Sequence, residues 1–511
     1  MTRGSEEVAN AASLFVDAPV EEGSADRAAL VTAEGSVTYR QLQALTDRAA
    51  RGLRALGVEP EQRVALILPD GVAFAATFFG AIKIGAVAVP LNTRLPAADH
   101  ARMLRDCRAK VLVGDPELLG PLAPLGPELA LPHVVRFDEL CAASDAPLAA
   151  EPVGADAMAF WLYTSGTTGS PKAAVHCHRT LAACRHYGED VLGVGPGDRI
   201  FASSKLFFAY ALGNALLIPL FARASAYLCP QWPEPGLVRT VIADYRPTLF
   251  FSVPTFYARL LRAGLPPDTF GSVRACVSAG EPLPGEVYRA WRTRFGVEIL
   301  DGIGATETVF MVLSNRPGRS RPGSTGTPVP GTEARLLDAE GRPVPDGEQG
   351  VLWVRTPSAA AGYWRRLDHS RRAFVGEWFR TGDVYHRDAD GFYVHCGRED
   401  DSFKVAGMWV VPGDVEAAAL GHPGVSEAGV VGAEGPSGLV KPFLFVVPRE
   451  GGAAPTDLEA GLRRRLEEEL PAHQRPQAIV VVSELPRTAT GKLQRFKLRE
   501  DARRRARESS A

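Results

Sequence analysis

From Trp161 to His176 the chain reads WLYTSGTTGSPKAAVH, an apolar strand that runs into hydroxyls, glycines and a lysine. Thr164, Ser165, Thr167 and Thr168 offer hydroxyl donors, Gly166 and Gly169 let backbone N–H groups turn toward an anion, and Lys172 supplies positive charge. That is phosphate-binding chemistry, and the same composition also describes an ordinary polar turn. The spacing is not GxxxxGK[ST], which separates this loop from P-loop nucleotide sites. Further glycine-bearing polar motifs follow in order: SAGEPLP (278–284), DGIGATET (301–308), STGTPVPG (324–331), WFRTGD (378–383), GREDDSFKVAG (397–407) and PRTATGK (486–492). Each alone reads as a turn, a cap, a hairpin or a polar linker; their joint occurrence in this order carries the argument.

One other cluster invites a metal. His176, Cys177, His178, Cys184 and His186 lie close in sequence. Residues 176 and 178 share a face of any alternating strand by geometry alone, so no metal site is expected there.

The chain that must position these residues has 511 of them, 46% hydrophobic and 23% charged. At roughly 150 residues per domain this gives about three globular units, which excludes a disulfide-stapled miniature or a disordered chain. Lys+Arg 57 against Asp+Glu 59 leaves a formal charge of -2, so no global attraction to nucleic acid or an anionic membrane is expected. The seven cysteines are odd in number, widely spaced and without a CxxC pair, which argues for a reducing compartment. The N-terminal MTRGSEEVANAASLFVD has acids where an export signal needs a basic start, so a cytoplasmic location is expected. The apolar stretch from Gly71 to Leu91 is interrupted by Lys83 and reads as a buried helix followed by a strand rather than a membrane span. Only eight of the 57 basic residues are lysine, a texture that fits a GC-rich, bacterial coding sequence. A lysine kept under such a bias marks a place where arginine does not serve.

From Ser36 to about Ala150, runs such as RVALILP, AVAVPL and AKVLVG alternate with helical stretches such as YRQLQALTDRAARGLRALG, the pattern of an α/β unit with parallel strands. A second α/β stretch extends from Met158 to about Gly304. Between Gly323 and Gly397 short strands separated by Gly, Pro and Asp predict an antiparallel β unit. Beyond about Asp400 a helix, two strands and the amphipathic LEAGLRRRLEEEL follow, and then a basic tail that reads as a solvated helix with a frayed end.

Taken together, the motif series resembles the adenylate-forming superfamily, which includes acyl-CoA synthetases, peptide-synthetase adenylation domains and firefly luciferase. The resemblance begins at SVTYRQL near residue 36 and covers nearly the whole chain. Within the superfamily, SSKLFFAYALGNALLIPL (203–220), DGIGATET and LSNRPG (313–318) resemble the benzoate–CoA ligase branch, which activates aryl carboxylic acids. The implied fold is α/β: a large N-terminal domain (1–399) of two α/β lobes plus a β-barrel-like unit, and a small mobile α+β C-terminal domain (400–511). The implied reaction joins a carboxylic acid to ATP as acyl-AMP, with Mg²⁺, and then passes the acyl group to coenzyme A. An anion must approach a polyanion in the first step, so positive charge has to be organised around the α-phosphate.

By this resemblance the loop from Thr164 to Lys172 cradles the β- and γ-phosphates, Thr306 contacts the α-phosphate, and Glu307 holds Mg²⁺, for which a carboxylate is a suitable hard ligand. Asp383 accepts the two ribose hydroxyls and Arg398 sits beside ribose and phosphate. Adenine rests against the backbone of Gly280, Glu281 and Pro282 and against Asp301, Gly302 and Ile303; many relatives have an aromatic residue at Ile303. Lys492 bridges carboxylate and phosphate during adenylation, a role for a compact point charge. Asp400 is the hinge of the C-terminal domain, and Lys404, Val405, Ala406, Gly407 and Trp409 form the loop that meets pantetheine. Phe208, Ala209, Tyr210, Ile303, Gly304 and Phe310 surround the acid. Phe310 stands where benzoate ligases have a histidine, which implies a pocket for a larger or less polar acid. Alternatives remain: a carrier-protein phosphopantetheine as acceptor, a half-enzyme that uses a preformed acyl-adenylate, or a nucleotide-binding regulator without turnover. A homodimer is compatible with the sequence.

Overall fold

The structure is a computed structural model and describes residues 10–125, 129, 131–142, 146–165, 171–405, 408–434, 439–449, 455–487 and 493–508. The chain forms two compact units: the first holds residues up to Ala334 with Trp353–Arg380 and Gly391–Tyr393, the second Arg335–Leu352, Thr381–Asp390 and Val394–Ala511.

The first unit is built on two large sheets. In the seven-stranded sheet, Arg63–Ile67, Val87–Pro90, Val111–Gly114, His133–Val135 and Met158–Ser165 run parallel, and Pro171–Cys177 and Gly362–Tyr363 continue it antiparallel. The central strands are nearly continuous apolar runs because helices cover both faces of a parallel sheet. The helix Val72–Lys83 is apolar almost all round and correspondingly buried, as the sequence predicts for this stretch. Its terminal Lys83 is also buried, and its Nζ pairs with Asp17 at 2.7 Å and Asp47 at 2.6 Å.

The nine-stranded sheet runs, from one edge, Thr327–Pro328, Met311–Ser314, Ile299–Gly304, Ala275–Ser278, Leu249–Ser252, Arg199–Ala202, Ser225–Tyr227, Ala28–Thr32 and Gly35–Thr38. Its interior strands are parallel and both edges are antiparallel. In such sheets ligands bind beyond the carboxyl ends of the strands, and the motifs at residues 278–284 and 301–308 lie at or just after two such ends.

The antiparallel unit is a five-stranded sheet of Glu333–Leu337, Gly350–Arg355, Phe374–Val375, Trp378–Arg387 and Tyr393–Arg398. In the second unit, Val425–Glu434 and Val440–Pro448 pair antiparallel and Ala478–Val481 adds a parallel strand. Alternation along these strands serves two cores. Val430, Leu444 and Val446 pack with Leu458, Leu462 and Leu466, while Val431, Phe443 and Phe445 pack with Leu498, Ala502 and Ala506. The basic tail is thus a helix, Arg495–Glu508, with an apolar stripe at i, i+4 and i+8 that is buried rather than solvated throughout. Among the described residues no helix is long and apolar enough to cross a membrane.

Candidate active site

The strands Met158–Ser165 and Pro171–Cys177 form a hairpin in which Thr164 faces Lys172 and Ser165 faces Pro171. These two strands flank the predicted phosphate loop in sequence. Gly166, Thr167, Thr168 and Gly169 lie outside the described residues. Lys172 Nζ stands over the ring of Tyr363, 4.8 Å from its centroid, a cation–π contact that orients the ammonium.

Thr306 and Glu307 occupy the turn between the antiparallel strands Ile299–Gly304 and Met311–Ser314. The turn closes on Thr308: its Oγ1 accepts from Ala305 N at 3.0 Å and lies 3.1 Å from the Phe310 carbonyl, to which it donates. Neighbours from elsewhere then fix the dipeptide. His176 Nε2 donates to the Thr306 carbonyl at 2.9 Å, Ala360 N donates to the Glu307 carbonyl at 2.7 Å, and the Tyr363 hydroxyl donates to Glu307 Oε1 at 2.7 Å. His176 is stacked on Phe160 with ring centroids 4.7 Å apart, and burial lowers it to about 4, so it is neutral at physiological pH. Among the described residues no group of three or more His, Cys, Asp or Glu side chains is placed to hold a metal ion. Glu307 is nearly buried and offers one carboxylate oxygen beyond the one bound by Tyr363. A lone hard donor of this kind fits Mg²⁺, which keeps most of its shell for water and phosphate oxygens.

Asp301 ends the parallel part of its strand and is buried; burial pushes its carboxyl well above the ordinary carboxylate range. Among the described residues its Oδ1 has no hydrogen-bond partner. Asn315, in the LSNRPG motif, holds the Asp301 carbonyl with both backbone N (2.9 Å) and Nδ2 (3.0 Å). Gly280 follows the strand Ala275–Ser278 at φ 91°, and the Glu281 side chain turns away to Thr255, which leaves backbone as the surface of this segment. Gly326 of STGTPVPG is required by close packing, since at φ 85° a Cβ would fall 2.0 Å from the Ser314 carbonyl carbon.

The predicted acid-binding residues divide by chemistry. The Tyr210 hydroxyl lies 3.0 Å from the Ser252 carbonyl and 2.9 Å from that of Val277, so its proton is committed to backbone and the ring presents an apolar face. Ala209 and Phe310 are buried, and Phe208 and Ile303 are half-buried. Phe310 closes on Gly213, where a Cβ would meet its Cδ1 at 3.1 Å. Gly304 has no room for a side chain: a Cβ would sit 2.6 Å from the Phe310 carbonyl oxygen. Val309 adopts φ 57°, a left-handed conformation costly for a β-branched residue, beside Phe310.

In the second unit, Asp383 and Arg398 meet, with Arg398 Nη1 3.1 Å from Asp383 Oδ2. Contacts with His395 and Arg398 lower the Asp383 carboxyl despite burial, so it stays ionised. Asp400 is exposed on the segment that follows. The strands Phe403–Val405 and Met408–Val410 pair antiparallel with Lys404 opposite Trp409; Ala406 and Gly407 lie outside the described residues. Lys492 also lies outside them; of its described neighbours, Arg487 and Leu493 form an antiparallel bridge. Just beyond, Arg495 reaches Asp401 at 3.3 Å, Glu416 at 3.0 Å and the Val430 carbonyl at 2.8 Å. His176 as a carbonyl anchor, Tyr363, His395 and Arg495 were not singled out by the motifs. For three of them the sequence signal is proximity to a motif, since His176 follows the phosphate loop, Arg495 follows Lys492 and His395 precedes GRED; Tyr363 has no such signal.

Comparison with known proteins agrees with this geometry. Residues 17–364 match the AMP-binding enzyme family and residues 414–492 the AMP-binding enzyme C-terminal domain. The chain is 41% identical to benzoate–CoA ligase of Thauera aromatica, over 96% of this chain and 95% of that one. It is 39% identical to 3-hydroxybenzoate–CoA ligase of Aromatoleum sp. (strain CIB), over 96% of each. The crystal structure of the anthranilate CoA ligase AuaEII in complex with anthranoyl-AMP superposes with a TM-score of 0.90 at 38% identity, covering 98% of both chains. The protein is a member of the AMP-binding, adenylate-forming enzyme family.

Proposed function

We propose that this protein is an ATP-dependent ligase that activates an aryl carboxylic acid as its acyl-adenylate and transfers the acyl group to coenzyme A. The observation that carries this reading is the Thr306–Glu307 turn, held by Ala360, His176 and Tyr363 and followed by the buried, apolar Phe310, which closes on Gly213. An acyl-phosphate centre needs fixed polar groups next to an apolar acid pocket. The relatives that act on benzoate, hydroxybenzoate and anthranilate support the class of acid.

In the first step a carboxylate oxygen of the acid attacks the α-phosphorus of ATP and pyrophosphate leaves. Thr306 orients the α-phosphate, Lys172 and the hydroxyl-rich loop hold the β- and γ-phosphates, and Lys492 draws carboxylate and phosphate together. Glu307 would hold Mg²⁺, which supplies charge neutralisation for the phosphates. Asp383 receives the ribose hydroxyls, and Asp301 with the backbone at residues 280–282 borders adenine. In the second step the thiol sulfur attacks the acyl carbon, the bond to the AMP oxygen breaks, and the thiol proton passes to solvent. The 404–409 hairpin receives the pantetheine arm and Asp400 is the hinge between the two steps. Phe310 carries no hydrogen-bonding group, so the acid has an apolar edge there. The free state of all seven cysteines favours a reducing, cytoplasmic setting.

The test is product stoichiometry with ATP, CoA and a series of benzoates. Equal amounts of AMP, pyrophosphate and acyl-CoA are expected, with alkyl- or halogen-substituted benzoates preferred to hydroxybenzoates. Acyl transfer to carrier-protein phosphopantetheine but not to CoA would reassign the acceptor.

A further inference from the structure

Asp383 has its backbone and one carboxylate oxygen fixed from its own side. Its N–H donates to Thr381 Oγ1 at 3.0 Å, and that hydroxyl donates to the Leu352 carbonyl at 2.9 Å. Arg398 Nη1 contacts Oδ2 and is itself anchored on the Thr381 carbonyl at 3.0 Å. A carboxylate held by one donor can still turn about its terminal torsion, which is broad and two-fold.

The second oxygen faces His395. This residue lies on the strand Tyr393–Arg398, which pairs with the strand Trp378–Arg387 that carries Asp383. His395 Nε2 is 3.4 Å from Asp383 Oδ1, and the imidazole is set edge-on to the buried Tyr385 ring, centroids 5.1 Å apart at 76°. Both side chains are largely buried, at 19% and 13% exposure, so the pair is shielded from competition by water.

We infer that His395 is a positioning residue for nucleotide binding: together with Arg398 it fixes the plane of the Asp383 carboxylate so that its free lone pairs meet the two ribose hydroxyls. A carboxylate has about four lone-pair sites on its two oxygens. Arg398 takes one on Oδ2 and His395 one on Oδ1, which leaves one on each oxygen for a vicinal diol. A single donor would leave three sites and a freely turning plane. The inference rests on the assignment of Asp383 to the ribose, and the test separates the two.

Binding of ATP, 2′-deoxy-ATP and 3′-deoxy-ATP is measured by calorimetry on the full chain, for the wild type, His395→Phe and His395→Gln. Phe keeps a ring against Tyr385 and removes the donor; Gln restores an N–H. The wild type is expected to bind ATP about tenfold more tightly than either deoxy nucleotide, the scale of a hydrogen bond to a charged acceptor. His395→Phe is expected to weaken ATP about tenfold and the deoxy nucleotides less than about twofold, with His395→Gln recovering most of the loss. Equal weakening of all three nucleotides by His395→Phe, or none, would overturn the positioning role while leaving Asp383 on the ribose. A wild type that binds the three alike would remove Asp383 from the ribose and the inference with it.

Discussion

Glu307 would be a mobile carboxylate at the end of a turn without Tyr363. The Tyr363 hydroxyl binds Oε1, and its ring carries Lys172 on one face, so one side chain orients both the candidate metal ligand and a phosphate-loop cation. Tyr363→Phe keeps the ring and removes the hydroxyl. It is expected to lower kcat/KM for adenylation about tenfold or more and raise the Mg²⁺ concentration for half-maximal rate, with little change in Tm. Unchanged Mg²⁺ dependence would detach Tyr363 from the metal. Thr306, Glu307, Asp383 and Arg398 could be singled out as candidates because they lie inside contiguous motifs. Tyr363 is 56 residues from Glu307 and His176 is 130 from Thr306, so only the tertiary pairing of strands makes them neighbours. His395 was hidden for a related reason, since nothing in a single strand states which residue of the next it will face.

At the scale of elements, the strand Pro171–Cys177 and the residue that follows it hold two histidines in a neutral state. Burial lowers His176 and His178 from 6.5 to about 4. His178 also accepts Ala11 N–H at Nδ1 (2.9 Å), and protonation there would break that bond. Unfolding takes up a proton at each site between these values, so their contribution to stability is full above about pH 6.5 and is lost as pH falls toward 4. His176→Phe, which can keep the stack on Phe160, should reduce the pH slope of stability in that range by about one proton, read from urea midpoints; an unchanged slope would place the buried neutral state elsewhere. The hairpin around Gly304 gives a second element-level expectation. Gly304→Ala drives a Cβ against the Phe310 carbonyl, so it should raise KM for the acid at least several-fold while KM for ATP changes less. The alternation of apolar runs and helices made the α/β layers legible. Strand order was not: Ser225–Tyr227 lies between Arg199–Ala202 and Ala28–Thr32, a choice made by packing rather than by any local pattern. The tail helix misled because its many arginines mask three small apolar contacts at residues 498, 502 and 506.

For the whole molecule, the second unit links the segment after Asp400 to the helix Arg495–Glu508, just beyond Lys492 in sequence, through Arg495 with Asp401 and Glu416. Lys492→Ala is expected to slow adenylation by orders of magnitude and leave thioester formation from supplied acyl-AMP largely intact; equal loss of both would refute its role. Asp400→Pro should impair the second step selectively. The central claim is that one chain couples acid-dependent adenylation to thioester formation, and the most direct measurement is ATP–pyrophosphate exchange without CoA over substituted benzoates, followed by CoA addition. Exchange that requires the aryl acid, and an adenylate that converts to acyl-CoA with release of AMP when CoA is added, is the predicted result. Exchange indifferent to the acid, or thioester formed from supplied acyl-AMP with no exchange for any aryl acid, would contradict it.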